Sequence, residues 1–322
     1  MLPPVPTVDL DAAERDPSLL VPLDRACRDH GFFLLRNHGM AAEIEAMWQA
    51  SAQFFAAPME AKRSVMRTDQ VPLGYYDREL TKRQRDLKEV FDYMRPRADG
   101  SDVNQWPADP AFRSTLVSFF DAASDVAART LKLVYQALLA DPADLSSLPE
   151  GDPRTSSVRL NYYPTADPLS EEEQHLVTQP GDMALHHHTD PGVLTLLLQD
   201  MTGGLQTLTQ ADGWIDVPPV EDTIVVNLGD AMQVWTNDVY RAAVHRVLPM
   251  GNAARYSTPY FFNPASKALL EPLPALSAAP PVYRAFTWRE YIRGRVDDNY
   301  TDLGEDDIQI SRFRTSQPRE SA

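Results

Sequence analysis

The order of apolar and polar positions divides the chain into a helical front, a strand-rich centre and a short helical end. Val5–Leu10 and Gly31–Arg36 read as short strands, with a helical stretch from Leu19 to Asp29 between them. Across Ala41–Ala57, residues Ile44, Met47, Trp48, Phe54 and Phe55 suit a helix with one buried face, and Pro58 ends it or starts the next. The clearest helix follows Asp109-Pro110. There Phe112, Leu116, Phe119, Ala123, Val126, Thr130, Val134 and Leu138 recur every three or four positions, with charges between them. Proline in the first turn is a good start signal, because its missing N–H is unneeded there.

Beyond residue 150 the period changes. Runs at Val158–Tyr163, Val193–Gln199, Leu205–Leu208, Trp214–Val217, Thr223–Leu228, Ala242–Leu248 and Tyr256–Phe262 are strand-like, separated by Gly-, Asp- and Asn-bearing turns. Many short strands at this spacing indicate a sandwich or barrel. Thr287–Arg295 returns to helix, followed by the acidic stretch DDNYTDLGEDD. The expected organisation is one integrated domain of mixed α and β structure. Residues 1–150 form a helical and strand region packed on the core, 151–281 form the β core, and 282–322 form a C-terminal helix and acidic tail.

Composition narrows the function. The chain has 322 residues and a formal net charge of −16. With no basic surplus to replace phosphate counterions, nonspecific nucleic-acid or anionic-membrane binding is not expected. One cysteine, Cys27, excludes an internal disulfide and any multi-cysteine metal site. The first residues show no secretory signal, and no apolar run is long enough to span a bilayer, so a cytoplasmic protein is expected. Oligomeric state is not readable.

Candidate chemistry sits in a few spacings. In Leu185-His186-His187-His188-Thr189-Asp190, residues His188 and Asp190 are i and i+2, which on extended backbone point to one side. His245 lies inside a later apolar strand, where an adjacent strand would bring it alongside. Two imidazoles and one carboxylate on one face of a metal make the facial triad of non-haem Fe(II) oxygenases, which leaves coordination positions open. Arg255 and Ser257 form a second i, i+2 pair. A guanidinium fork beside a hydroxyl suits a carboxylate, here the distal carboxylate of a metal-chelating 2-oxo acid. Asn161 and Tyr163 share a strand face and can bond the same acid.

The segments RLNYYP, HTDPGVLTLLLQD, GGLQTL, WIDVPP, VVNLGDAMQVWTND, AVHRV and RYSTPYFFNP, in this order, resemble the isopenicillin-N-synthase-like Fe(II)/2-oxoglutarate-dependent oxygenases. VPTVDL, GFFLLRNHGM, FFAAPMEAK and LKEVFDY resemble that family's N-terminal region. The resemblance implies a double-stranded β-helix (jelly-roll) core with flanking N-terminal and C-terminal helices. It implies iron held by His188, Asp190 and His245, and 2-oxoglutarate held by Arg255, Ser257 and Tyr163 with help from Asn161. It implies consumption of O2, with ascorbate helping to keep iron reduced, and no protein acid or base in the chemistry. The expected reaction is hydroxylation of a small-molecule metabolite with release of succinate and CO2. Desaturation, oxidative cyclisation and a catalytically silent ligand-binding relative are the alternatives.

Strand alternation extends the site. If Arg255 and Ser257 face inward, so does Phe261, which becomes the first substrate-contact candidate. Leu185, Thr195 and Leu197 follow on neighbouring segments. Tyr75 and Tyr76 lie in a loop where relatives cover the active-site mouth. His186 and His187 replace the small residues usual before the ligand pair, which leaves their role open.

Overall fold

The computed structural model describes residues 5–296 and 308–315, apart from 69, 82, 83, 98, 100, 140, 141, 180, 182, 210, 211, 250 and 252. The acidic stretch at 297–307 therefore lies outside the described residues. Twelve strands form two main sheets. In chain order they are β1 (Thr7–Asp9), β2 (Phe32–Arg36), β3 (Gly74–Tyr76), β4 (Glu89–Met94), β5 (Ser157–Tyr163), β6 (Leu185–His188), β7 (Leu194–Gln199), β8 (Leu205–Thr209), β9 (Gly213–Asp216), β10 (Ile224–Leu228), β11 (His245–Val247) and β12 (Arg255–Phe262). The larger sheet has eight strands in the order β1-β2-β10-β7-β12-β5-β4-β3, and the smaller has four in the order β9-β8-β11-β6.

The larger sheet draws strands from both halves of the chain. β2 pairs antiparallel with β10 at one end, and β4 pairs antiparallel with β5 at the other. The first 150 residues thus extend the sheet at both edges as well as covering it. The α-helices of six or more residues among the described residues are α1 (Leu20–Asp29), α2 (Ala41–Phe55), α3 (Pro110–Leu138), α4 (Asp230–Trp235) and α5 (Trp288–Val296). The Asp109 carboxylate caps α3 by accepting from the Ala111 N–H, and Pro110 occupies its first turn. Its apolar stripe is buried from Phe112 to Val134, as the helical spacing predicts. Tyr93 of β4 closes this interface by donating its hydroxyl to the Leu116 carbonyl at 2.8 Å.

Differences from the sequence expectation are local. β11 covers only the middle of the expected Ala242–Leu248 run. β3, β4 and β6 were not expected as strands, and neither was α4, which starts directly after Gly229. No helix among the described residues is long and apolar enough to cross a membrane.

Candidate active site

One cavity of about 350 Å³ is lined by both sheets. His188 ends β6 and His245 begins β11, and the two are direct register partners with ring centroids 4.3 Å apart. Asp190 lies just past the strand end in the loop between β6 and β7, so the extended i, i+2 geometry holds only for the histidine. Other contacts bring the carboxylate back. Asp190 Oδ2 accepts from the Thr195 hydroxyl at 2.5 Å and from Asn227 Nδ2 at 2.8 Å. Oδ1 then faces the Nε2 atoms of His188 and His245 at 3.7 and 3.8 Å. One donor atom from each of the three residues lies within 4.8 Å of the others.

Hydrogen bonds define the tautomers. His188 Nδ1 lies 2.9 Å from the His186 carbonyl, and His245 Nδ1 lies 3.0 Å from the Ala243 carbonyl. A carbonyl can only accept, so each Nδ1 carries the proton and each Nε2 lone pair points to the shared centre. Burial and the neighbouring His245 push the His188 pKa down to about 3, keeping its ring neutral. Burial alone would raise the Asp190 carboxyl, but the two imidazoles and the Asn227 and Thr195 bonds hold it below its ordinary value. Two imidazole nitrogens and a carboxylate oxygen are a suitable donor set for Fe(II).

The second part of the site lies across β5 and β12. Arg255 pairs with Tyr163 and Ser257 with Asn161 in the strand register. All four line the cavity. Arg255 is fully buried; its Nε donates to the Gly203 carbonyl at 2.8 Å and its guanidinium stacks 5.1 Å from the Tyr163 ring centre. Nη1 and Nη2 have no hydrogen-bond partner. A buried cation with both terminal nitrogens unbonded faces a strong penalty unless an anion completes it. A carboxylate fits that fork, and Ser257 and Tyr163 line the same cavity.

Phe261, Leu185, Thr195 and Leu197 all line the cavity. Thr195 does so while committing its hydroxyl to Asp190. Tyr75 and Tyr76 do not, although Pro72 and Leu73 of the same loop do. The Tyr75 ring turns into the core against Phe54, and its hydroxyl donates to Glu89 Oε2 at 2.6 Å. Tyr76 instead lies beneath the Arg67 guanidinium. His187 faces away and meets the Trp214 ring edge-on, while buried His186 sets Nδ1 3.4 Å from Asp86 Oδ1. The sequence reading missed Asn227, Glu79, Lys88, Asp92, Arg159, Ile292 and Arg295 as cavity residues. A signal existed for two: Asn227 interrupts an apolar strand, and Arg159 precedes Asn161 by one strand period.

A two-histidine, one-carboxylate centre beside a buried guanidinium fork is the arrangement expected of a non-haem iron enzyme that uses an oxo acid. Residues 154–264 match the model of the 2OG-Fe(II) oxygenase superfamily, and residues 5–109 match the non-haem dioxygenase in morphine synthesis N-terminal model. The chain is 31% identical over 327 residues to gibberellin 2-beta-dioxygenase 4 of Arabidopsis thaliana, covering 97% of this chain and 95% of the relative. Neurospora crassa T7H, solved with alpha-KG and 5-formyluracil, superposes with a TM-score of 0.76 at 30% identity, covering 90% of this chain and 95% of that one. JOX2, solved with 2OG, Fe and JA, gives a TM-score of 0.80 at 25% identity, covering 97% and 90%. The chain belongs to the 2OG-Fe(II) oxygenase superfamily. It is a 2-oxoglutarate/Fe(II)-dependent dioxygenase, with Fe(II) as its metal and 2-oxoglutarate as its cosubstrate.

Proposed function

We propose that this enzyme hydroxylates an unactivated C–H bond of a small-molecule metabolite. His188, Asp190 and His245 would hold the iron. Arg255, Ser257 and Tyr163 would hold the far carboxylate of 2-oxoglutarate, with Asn161 supporting Ser257 across a 3.4 Å contact. When bound, the metal and cosubstrate supply the oxidising chemistry: O2 and 2-oxoglutarate are consumed, succinate and CO2 leave, and one oxygen atom enters the substrate. The protein supplies position. Hydrogen bonds aim the ligand atoms, Arg255 fixes the oxo acid from the far end, and Phe261, Leu185 and Leu197 exclude water. No side chain is needed as a general acid or base.

The observation that carries this reading is the fully buried Arg255 fork, open toward the same cavity as the ligand triad. We read the two sheets that line the cavity as the halves of a double-stranded β-helix. On that reading residues 1–150 and 282–322 elaborate a single 151–281 core. The test is purified protein with Fe(II), ascorbate and 2-oxoglutarate under air. Succinate should form and should vanish in His188→Ala. Equal succinate from both proteins would defeat the proposal.

A further inference from the structure

The inward face of β5 does not end with the oxo-acid residues. Beyond Asn161 it continues with Arg159 and Ser157, and both line the cavity together with Glu79, Lys88 and Asp92. These groups form a continuous ionic wall. Arg159 Nη1 donates to the Glu79 oxygens at 2.7 and 2.8 Å. Its Nε and Nη2 donate to the two Asp92 oxygens at 2.7 and 2.8 Å. Lys88 Nζ bridges Glu79 at 2.6 Å and Asp86 at 3.1 Å. Asp86 is held in turn by the Thr81 hydroxyl at 2.7 Å.

The wall is buried in protein yet borders empty space. Side-chain exposure is 3% for Glu79 and Lys88, and 18% and 12% for Arg159 and Asp92. Two carboxylates flank one guanidinium there, so acceptors and donors alternate along the surface. An apolar ligand pressed against it would strip water from several ions and return nothing. A ligand with a donor next to an acceptor would replace that water pair by pair. Phe261, Ile292 and Pro72 supply apolar surface elsewhere in the cavity for the rest of the molecule.

We propose that the substrate is a small polar compound presenting adjacent N–H donor and carbonyl acceptor groups, an amide or lactam type, to the Glu79–Arg159–Asp92 wall. This rests on the oxygenase reading above. The test uses matched ligand pairs that share a carbon skeleton, one member carrying the N–H and carbonyl and the other a hydrocarbon in their place. Binding is measured by calorimetry on protein loaded with Mn(II) and 2-oxoglutarate without oxygen. The amide member should bind at least about 10-fold more tightly in the pairs that bind. Asp92→Asn should reduce that ratio several-fold. A ratio within one protein sample does not depend on the folded fraction, and Glu79→Gln offers the same readout if Asp92→Asn does not fold. Equal or tighter binding of the hydrocarbon members, an unchanged ratio in both variants, or no binding by any pair overturns the proposal. Failure to take up Mn(II) and 2-oxoglutarate at all would instead strike the oxygenase reading.

Discussion

Asp190 shows how much of the proposed metal site would be set by side chains outside the ligand triad. Its Oδ2 is fully engaged by Thr195 and Asn227, which leaves Oδ1 turned toward the imidazoles. Removing such outer partners typically lowers metal affinity about 10- to 100-fold. Asn227→Leu and Thr195→Val should therefore weaken Mn(II) binding by that order while the far-ultraviolet circular dichroism stays native. Unaltered affinity in both would mean that the loop alone places Asp190. Arg255 gives a separate expectation. Arg255→Leu should raise the KM for 2-oxoglutarate by at least about 30-fold, since losing one partner of a buried charged pair costs about 2 kcal/mol or more. Steady-state succinate formation at varied 2-oxoglutarate checks it. The i, i+2 spacing pointed to His188 with Asp190 and to Arg255 with Ser257, and His245 stood out as a histidine inside an apolar strand. It misplaced Tyr75, because a buried tyrosine that satisfies its hydroxyl on Glu89 looks in sequence like one at a cavity mouth.

The strands and helices were legible wherever one face is clearly apolar. α3 announces itself through its stripe and its Asp-Pro start, and β7, β10 and β12 through their apolar and β-branched content between turn residues. β4 and β6 were hidden because Asp92 in one and His188 in the other are polar residues at cavity-facing positions, which breaks the usual alternation. The connection between β10 and α4 is equally functional. Gly229 packs against the backbone of the Asp190 loop: an added Cβ would overlap the Gly192 carbonyl and lie 2.9 Å from the Asp190 carbonyl. Gly229 N also donates to the Val193 carbonyl at 3.0 Å, and Asp230 N donates to the Asp190 carbonyl at 2.8 Å. Gly229→Ala must therefore push the Asp190 loop away. It should lower metal affinity by at least about 10-fold, the effect expected when a ligand loses its supported position. Thermal unfolding and Mn(II) titration on one sample separate this from global unfolding, and native affinity would show that the loop yields without moving Asp190.

Across the molecule, ion pairs tie the first hundred residues to the core. Arg78 and Arg63 both reach Glu173, and Arg159 of β5 holds both Glu79 and Asp92. The net charge of −16 gave no hint of this, because composition cannot say which few charges are buried together. Buried pairs are costly to desolvate and costlier to break, so this network should show in the acid stability of the whole protein. Burial opposes ionisation of Glu79, yet the Arg159 guanidinium and Lys88 ammonium pull its carboxyl from an ordinary 4.5 down to about 2. A depressed folded-state value stabilises the fold fully above the ordinary value. That contribution drains away as the pH falls toward about 2, because the unfolded chain then takes up a proton first. The difference corresponds to about 3 kcal/mol, shared with the partners of the network. Glu79→Gln should thus be markedly less stable than the parent protein near pH 7, and the gap should narrow by about that amount as the pH is lowered from 4.5. Urea unfolding followed from pH 7 to pH 3 should read about 2 kcal/mol of that narrowing, since a carboxyl titrating near 2 is still mostly ionised at pH 3. A constant gap would mean that the Glu79 charge contributes nothing to holding the N-terminal stretch on the sheet.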